Sequence, residues 1–188
     1  MLNKLSMKSK YDLLKYLAEL GYAKGAEIGV SEGYFSEKML ETIPNLELWC
    51  VDNWRQYSEN RFGKSQAEND RKYQITVDRL AKYGAHIIRE TSMDAVKQFN
   101  DNSLDFVYID ANHGYDYVMQ DLIEWTKKVR KGGMIIGDDY YPMKKAGVVQ
   151  AVDDYTKYHQ IKFNLIDPRP HGIKDRGYNE QPTYWWIK

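Results

Sequence analysis

The regular alternation of short apolar strands with amphipathic helices constrains this chain more than any other feature. Residues 25–30 (GAEIGV), 46–52 (LELWCVD), 85–89 (AHIIR), 104–110 (LDFVYID) and 133–137 (GMIIG) read as buried strands. The spacing predicts helices over 10–20, 34–42, 66–83, 92–99 and 115–129. Leu13, Leu14, Leu17 and Leu20 share one face of the first helix, and Val118, Leu122, Trp125 and Val129 one face of the 115–129 helix. Ser9 with Asp12 and Thr91 with Asp94 form capping pairs, while Gly21, Pro44 and Gly84 stop the helices before them. A helix at about 147–158, a strand at 161–166 and a last strand at 183–187 complete the pattern. This predicts a doubly wound α/β fold around a mostly parallel sheet. The last two strands lack an intervening helix, so an antiparallel pair is expected at one side.

The chain has 188 residues, one domain's worth, with an N-terminal helix in 1–22, a core over 24–140 and a C-terminal helix and strand pair over 141–188. Lys and Arg number 27, as do Asp and Glu. Zero net charge argues against a broad electrostatic grip on nucleic acid or anionic lipid. The single cysteine, Cys50, has no internal partner, which fits a reducing, cytoplasmic setting. No apolar run approaches the roughly 18 residues of a membrane span, and the basic N-terminus lacks the apolar stretch of a signal peptide.

In open sheets of this kind ligands bind beyond the C-terminal strand ends. Those ends carry Glu27, Asp52, Thr91–Ser92, Asp110 and Asp138–Asp139. The first strand runs into Glu27-Ile28-Gly29-Val30-Ser31-Glu32-Gly33 and then a helix, a turn whose glycines admit a ligand close to the backbone. A dinucleotide site would want glycine where Ser31 stands, and Glu27 would repel a phosphate. Asp52 can accept hydrogen bonds from ribose hydroxyls. Together these favour a nucleoside without a pyrophosphate.

The fourth strand ends Tyr108-Ile109-Asp110-Ala111-Asn112-His113, and the fifth ends Gly137-Asp138-Asp139. Neighbouring strands lie about 5 Å apart, so Asp110, Asp138 and Asp139 could converge. Three anions together need a cation, and a hard divalent ion, Mg²⁺ first, suits oxygen ligands. Such an ion lowers the pKa of a substrate hydroxyl. His113 could then take the proton. Asp121 and Glu124 read as a solvated helix face, with Asp121 able to brace the loop.

The E-x-G-x-x-x-G turn, the acidic end of the second strand and the K-G-G-M-I-I-G approach to the fifth resemble the class I S-adenosylmethionine-dependent methyltransferases. The resemblance covers residues 24–140 and, in architecture, extends to 188. It implies a seven-stranded sheet with S-adenosyl-L-methionine as donor. It places Glu27, Gly29 and Gly33 around the methionine part, Asp52 at the ribose and Ser92 or Met93 near the adenine, with Trp54 a weaker choice. The I-D-x-x-H-x-Y-x-x-V…D…W…K-G-G…D-D run is similar to the metal-dependent small-molecule O-methyltransferases of the sugar and catechol types. That likeness implies Asp110, Asp138 and Asp139 as metal ligands, with Asp110 and His113 as the catalytic pair. Ala111 and Asn112 replace the aromatic residues of the catechol enzyme, so a catechol-like wall is not expected.

The acceptor is expected to be a small hydroxylated molecule, with no nucleic-acid or membrane partner; self-association stays open. Segments 53–65, 140–146 and 167–181 could line its pocket, through Trp54, Arg55, Tyr57, Arg61, Phe62, Tyr140, Tyr141, Lys144, Arg169, His171 and Arg176. A nucleic-acid acceptor and a hydroxylase relative of the same fold are the competing readings. A nicotinamide dehydrogenase is disfavoured by Ser31 and Glu27.

Overall fold

The computed structural model describes residues 7–55, 65–142, 146–168 and 181–188. Its elements run α1 (Lys10–Glu19), β1 (Lys24–Ile28), α2 (Tyr34–Thr42), β2 (Glu47–Val51), α3 (Gln66–Leu80), β3 (His86–Ile88), α4 (Ser92–Ala95), β4 (Leu104–Ile109), α5 (Tyr115–Lys128), β5 (Val129–Gly137), α6 (Val148–Tyr158), β6 (Asn164–Ile166) and β7 (Thr183–Ile187). The seven strands form one sheet in the order β3-β2-β1-β4-β5-β7-β6. The first five are parallel, and β7 pairs antiparallel with both β5 and β6.

The order in which strands are added reverses between the parallel neighbours β1 and β4, which pair from Gly25↔Phe106 to Ile28↔Ile109. That reversal opens a crevice at the carboxyl ends of these two strands, the expected ligand position in an open α/β sheet.

Period-two alternation divides the core between the two faces of the sheet. On β4, Val107 and Ile109 join Leu122 and Trp125 of α5 and Val152 of α6, while Phe106 and Tyr108 join Leu13, Leu14 and Leu17 of α1 and Met39 of α2. The helices after Ser9 and Thr91 begin where those caps were expected, and Ser65 caps a third. The side chains of Ser9, Ser65 and Thr91 accept from the backbone N–H groups of Asp12, Glu68 and Asp94.

Four elements depart from the periodicity by more than two residues or in helix type, the others by no more than two residues at an end. β5 starts at Val129 rather than 133, because Gly132 at φ 75° and Gly133 exchange backbone hydrogen bonds with Lys188 and prolong the strand. The segment expected as a strand over 161–166 pairs only over Asn164–Ile166; Ile161 and Phe163 pack on the core instead. The 66–83 helix tightens into a 3-10 turn at Ala81–Tyr83. The 92–99 helix is one α turn followed by a 3-10 turn at Val96–Gln98.

Candidate active site

Gly29 sets the geometry of the crevice. Its φ is 95°, and a Cβ there would lie 2.0 Å from the Asp110 carbonyl oxygen. Only glycine lets the turn after β1 lie this close to the end of β4. The approach is pinned by hydrogen bonds from Asp110 N to Ile28 O (2.7 Å) and from Gly29 N to Val51 O (2.8 Å). Gly33, at φ 74°, is the residue from which α2 starts.

Asp52 closes this turn from the side. Its Oδ2 accepts from Val30 N (3.0 Å) and Ser31 N (2.9 Å), and its Oδ1 accepts from Trp54 N (3.0 Å). A carboxylate offers about four acceptor positions, so among the described residues one remains, on Oδ1. Trp54 is buried, and its indole N–H donates to Ser31 O at 2.7 Å. The indole is thus part of the wall of the turn.

Glu27 lies beneath the turn, 2% exposed, and accepts a hydrogen bond from Ser36 of α2. Burial pushes its carboxyl up to about 8. Ser92 opens α4, and its hydroxyl is enclosed by α5: it donates to Asp121 and accepts from the Trp125 indole N–H at 2.7 Å. The expectation of a solvated Asp121 is therefore corrected. The residue is 3% exposed, and burial raises its carboxyl to about 6. Asp121 ties α5 to the start of α4, while Glu124 stays on the outer face with Lys127. Met93 packs against the core beside Ser92.

Across the crevice, one oxygen of Asp110, one of Asp139 and one ring nitrogen of His113 lie within 4.8 Å of one another. His113 Nε2 is 3.4 Å from Asp110 Oδ1 and 3.1 Å from Asp139 Oδ2. The backbone sets this up. Asn112 Oδ1 accepts from Gly114 N (2.9 Å), and His113 O accepts from Gly147 N (2.7 Å), which fixes the loop after β4. Asp139 takes a left-handed φ of 62°, costly for a residue with a Cβ and found mainly where a site demands it. The side chains are 35%, 37% and 17% exposed for Asp110, His113 and Asp139, so solutes reach them.

Charges here are out of balance. Burial and then the Asp138 carboxylate raise Asp110, and burial followed by Asp110 raises Asp139 to about 6. The hydrogen bond to Asp110, joined by the charge of Asp139, raises His113. Desolvation leads both carboxylate shifts, and like charges add to it. The two carboxylates fit a divalent ion: one oxygen of Asp110 and one of Asp139 lie within 4.8 Å of each other, close enough for a single ion to take both.

Asp138 stands differently. Its Oδ2 accepts from Lys10 Nζ at 2.7 Å and its Oδ1 from Thr183 Oγ1 at 3.0 Å. It lies beside the converging trio of Asp110, His113 and Asp139 without joining it. Lys10 is the site neighbour that sequence reasoning missed. A lysine at the start of a helix carries no signal of a partner that lies 128 residues away. Of the acceptor segments, Trp54, Arg55, Tyr140 and Tyr141 are described; Tyr57, Arg61, Phe62, Lys144, Arg169, His171 and Arg176 lie outside the described residues.

A doubly wound sheet with a glycine turn after β1, an acid after β2 and polar ends on β4 and β5 defines a class I methyltransferase fold. Residues 26–140 match the sequence family described as a methyltransferase domain, and the chain belongs to that family. An uncharacterised protein of Acanthamoeba polyphaga mimivirus is 27% identical over 160 residues, covering 77% of this chain and 67% of its own. Among solved structures, the O-methyltransferase from Bacillus cereus in complex with S-adenosylhomocysteine superposes with a TM-score of 0.65. It is 15% identical and the match covers 100% of this chain and 83% of that one. TomG from Streptomyces achromogenes, an O-methyltransferase of tomaymycin synthesis in complex with S-adenosylmethionine, gives 0.64 at 20% identity over 95% and 79%. An rRNA methylase from Streptococcus thermophilus gives 0.63 at 11% identity over 95% and 93%. Among the described residues no helix is long and apolar enough to cross a membrane.

Proposed function

We propose that this methyltransferase moves the methyl group of S-adenosyl-L-methionine to a hydroxyl of a small molecule, a sugar or a phenol, using a divalent ion, Mg²⁺ first, and His113 as base. The observation that carries the reading is the meeting of Asp110, Asp139 and His113 on the rim beside the Gly29 turn. The donor side rests on the family and on relatives whose structures contain S-adenosylmethionine or its product.

The donor is already an activated sulfonium, so the protein's task is to align an oxygen with the methyl and to remove its proton. In this reading Gly29 and Gly33 border the methionine part of the donor. Asp52 offers its remaining Oδ1 position to the ribose, and the Ser92–Met93 corner receives the adenine. Asp110 and Asp139 would hold the divalent ion, which when bound supplies positive charge that lowers the pKa of the acceptor hydroxyl. His113 Nε2, facing the same space, accepts that proton. An unpaired, buried Cys50 agrees with a reducing, cytoplasmic setting.

The test is transfer of a labelled methyl group to a panel of sugars and phenols, with and without chelator. Transfer that a chelator abolishes and added Mg²⁺ restores is the expected result; transfer indifferent to chelator would remove the ion from the reaction. The similarity to rRNA methylases favours a second reading, a nucleic-acid acceptor. Label appearing in RNA, with none in any small hydroxylated compound, would make that the acceptor.

A further inference from the structure

The cation that Asp138 holds is part of the chain itself. Lys10 Nζ reaches Asp138 Oδ2 at 2.7 Å and lies 4.9 Å from the centre of the Phe35 ring. The two side chains are 15% and 6% exposed, so the pair is largely screened from water. Phe35 in turn packs on Tyr108, whose buried hydroxyl lies close enough to Asp138 to feel its charge.

Local preference does not explain a lysine at this position. Lys10 is the first residue of α1, where the helix dipole disfavours a cation. The position is nevertheless firmly held. Ser9 caps the helix, and Leu13, Leu14 and Leu17 sink its inner face into the core beside Tyr108, Ile136 and Trp185. The packing of α1 thus delivers one positive charge to one of the three carboxylates after β4 and β5.

Resting on the divalent-ion reading above, we propose that Lys10 is the resident counter-ion of Asp138 and competes with a divalent ion for that carboxylate. While the pair is closed, Lys10 neutralises Asp138 and Thr183 holds its other oxygen, so Asp110, Asp139 and His113 converge without it. Once Lys10 withdraws, Asp138 becomes available as a further ligand and the site gains one negative charge. Lys10 is therefore a positioning residue: it decides which acids hold the ion, and it links the seating of α1 to ion binding.

Mn²⁺ binding to the full chain, followed by calorimetry and by the loss of free-ion electron paramagnetic resonance signal, tests this without any turnover. Lys10→Met removes the competitor, and Mn²⁺ should bind at least about tenfold more tightly, as expected for a unit charge removed from a few ångströms away. Lys10→Arg should stay near the wild type, and Lys10→Met combined with Asp138→Asn should lose the gain. Thermal unfolding reports whether each variant is folded. Lys10→Met that is folded and binds Mn²⁺ no more tightly than wild type overturns the proposal while leaving the divalent-ion reading standing. Binding by Lys10→Met but not by wild type supports the proposal and removes the ion from the wild-type reaction. No Mn²⁺ binding by any variant overturns both.

Discussion

Glu27 shows how burial converts an ordinary acid into a pH-dependent element. Its folded carboxyl titrates at about 8, against the usual carboxylate range when the chain is unfolded. The folded state therefore retains a proton that the unfolded state has lost. Stability from this group is full below the unfolded value and falls as pH rises toward 8. Glu27→Gln, which cannot ionise, should gain on the wild type in chemical denaturation as pH is raised from 5 to 8. A difference constant across that range would mean that Glu27 is already charged when folded. Gly29 makes a steric prediction. A methyl group there meets the Asp110 carbonyl, so Gly29→Ala should separate the turn from β4 and cost about 1–3 kcal/mol, measured by urea unfolding. Asp52→Ala would leave three backbone N–H groups without their acceptor. It should weaken S-adenosylhomocysteine binding by about 1.5–3 kcal/mol in calorimetry. Unchanged binding would place the ribose elsewhere.

At the scale of elements, the helices stand where apolar spacing and caps put them, because each signal is local. Ser9, Ser65 and Thr91 each precede a helix and accept from its first turn. The glycine turn and the acids at strand ends were legible for the same reason. What escaped was long-range. The buried face of α5 includes Asp121 only because Ser92, 29 residues earlier, arrives beneath it. β5 is prolonged by contact with Lys188, and Lys10 finds Asp138 through the packing of α1 on the far side of the sheet. No local pattern announces such pairings. They also make a prediction for an element rather than a residue. Asp121→Ala orphans the Ser92 hydroxyl under α5 and should loosen the start of α4, costing about 1–3 kcal/mol of stability. Nucleoside affinity should fall while Mn²⁺ affinity holds, because the disturbance lies at the corner proposed for the adenine; equal loss of both would show that α4 and the carboxylate rim form one unit.

For the whole molecule, the reversal of strand order between the parallel β1 and β4 is the organising event. It places the Gly29 turn beside the carboxylates that follow β4 and β5, at the edge where open α/β sheets bind their ligands. The fold and the neighbourhood of the site followed from the alternation of elements. The acceptor did not, because its expected pocket draws on loops whose sequence carries aromatics and cations without periodicity. The central claim is that one divalent ion sits between Asp110 and Asp139 next to the donor. Crystals grown with S-adenosylhomocysteine and Mn²⁺ test it directly through the anomalous signal of the metal. The account predicts a single strong peak within coordination distance of Asp110 and Asp139, alongside a nucleoside whose sulfur faces it. A well-ordered nucleoside in the crevice, with the anomalous map empty between those two carboxylates, would contradict it.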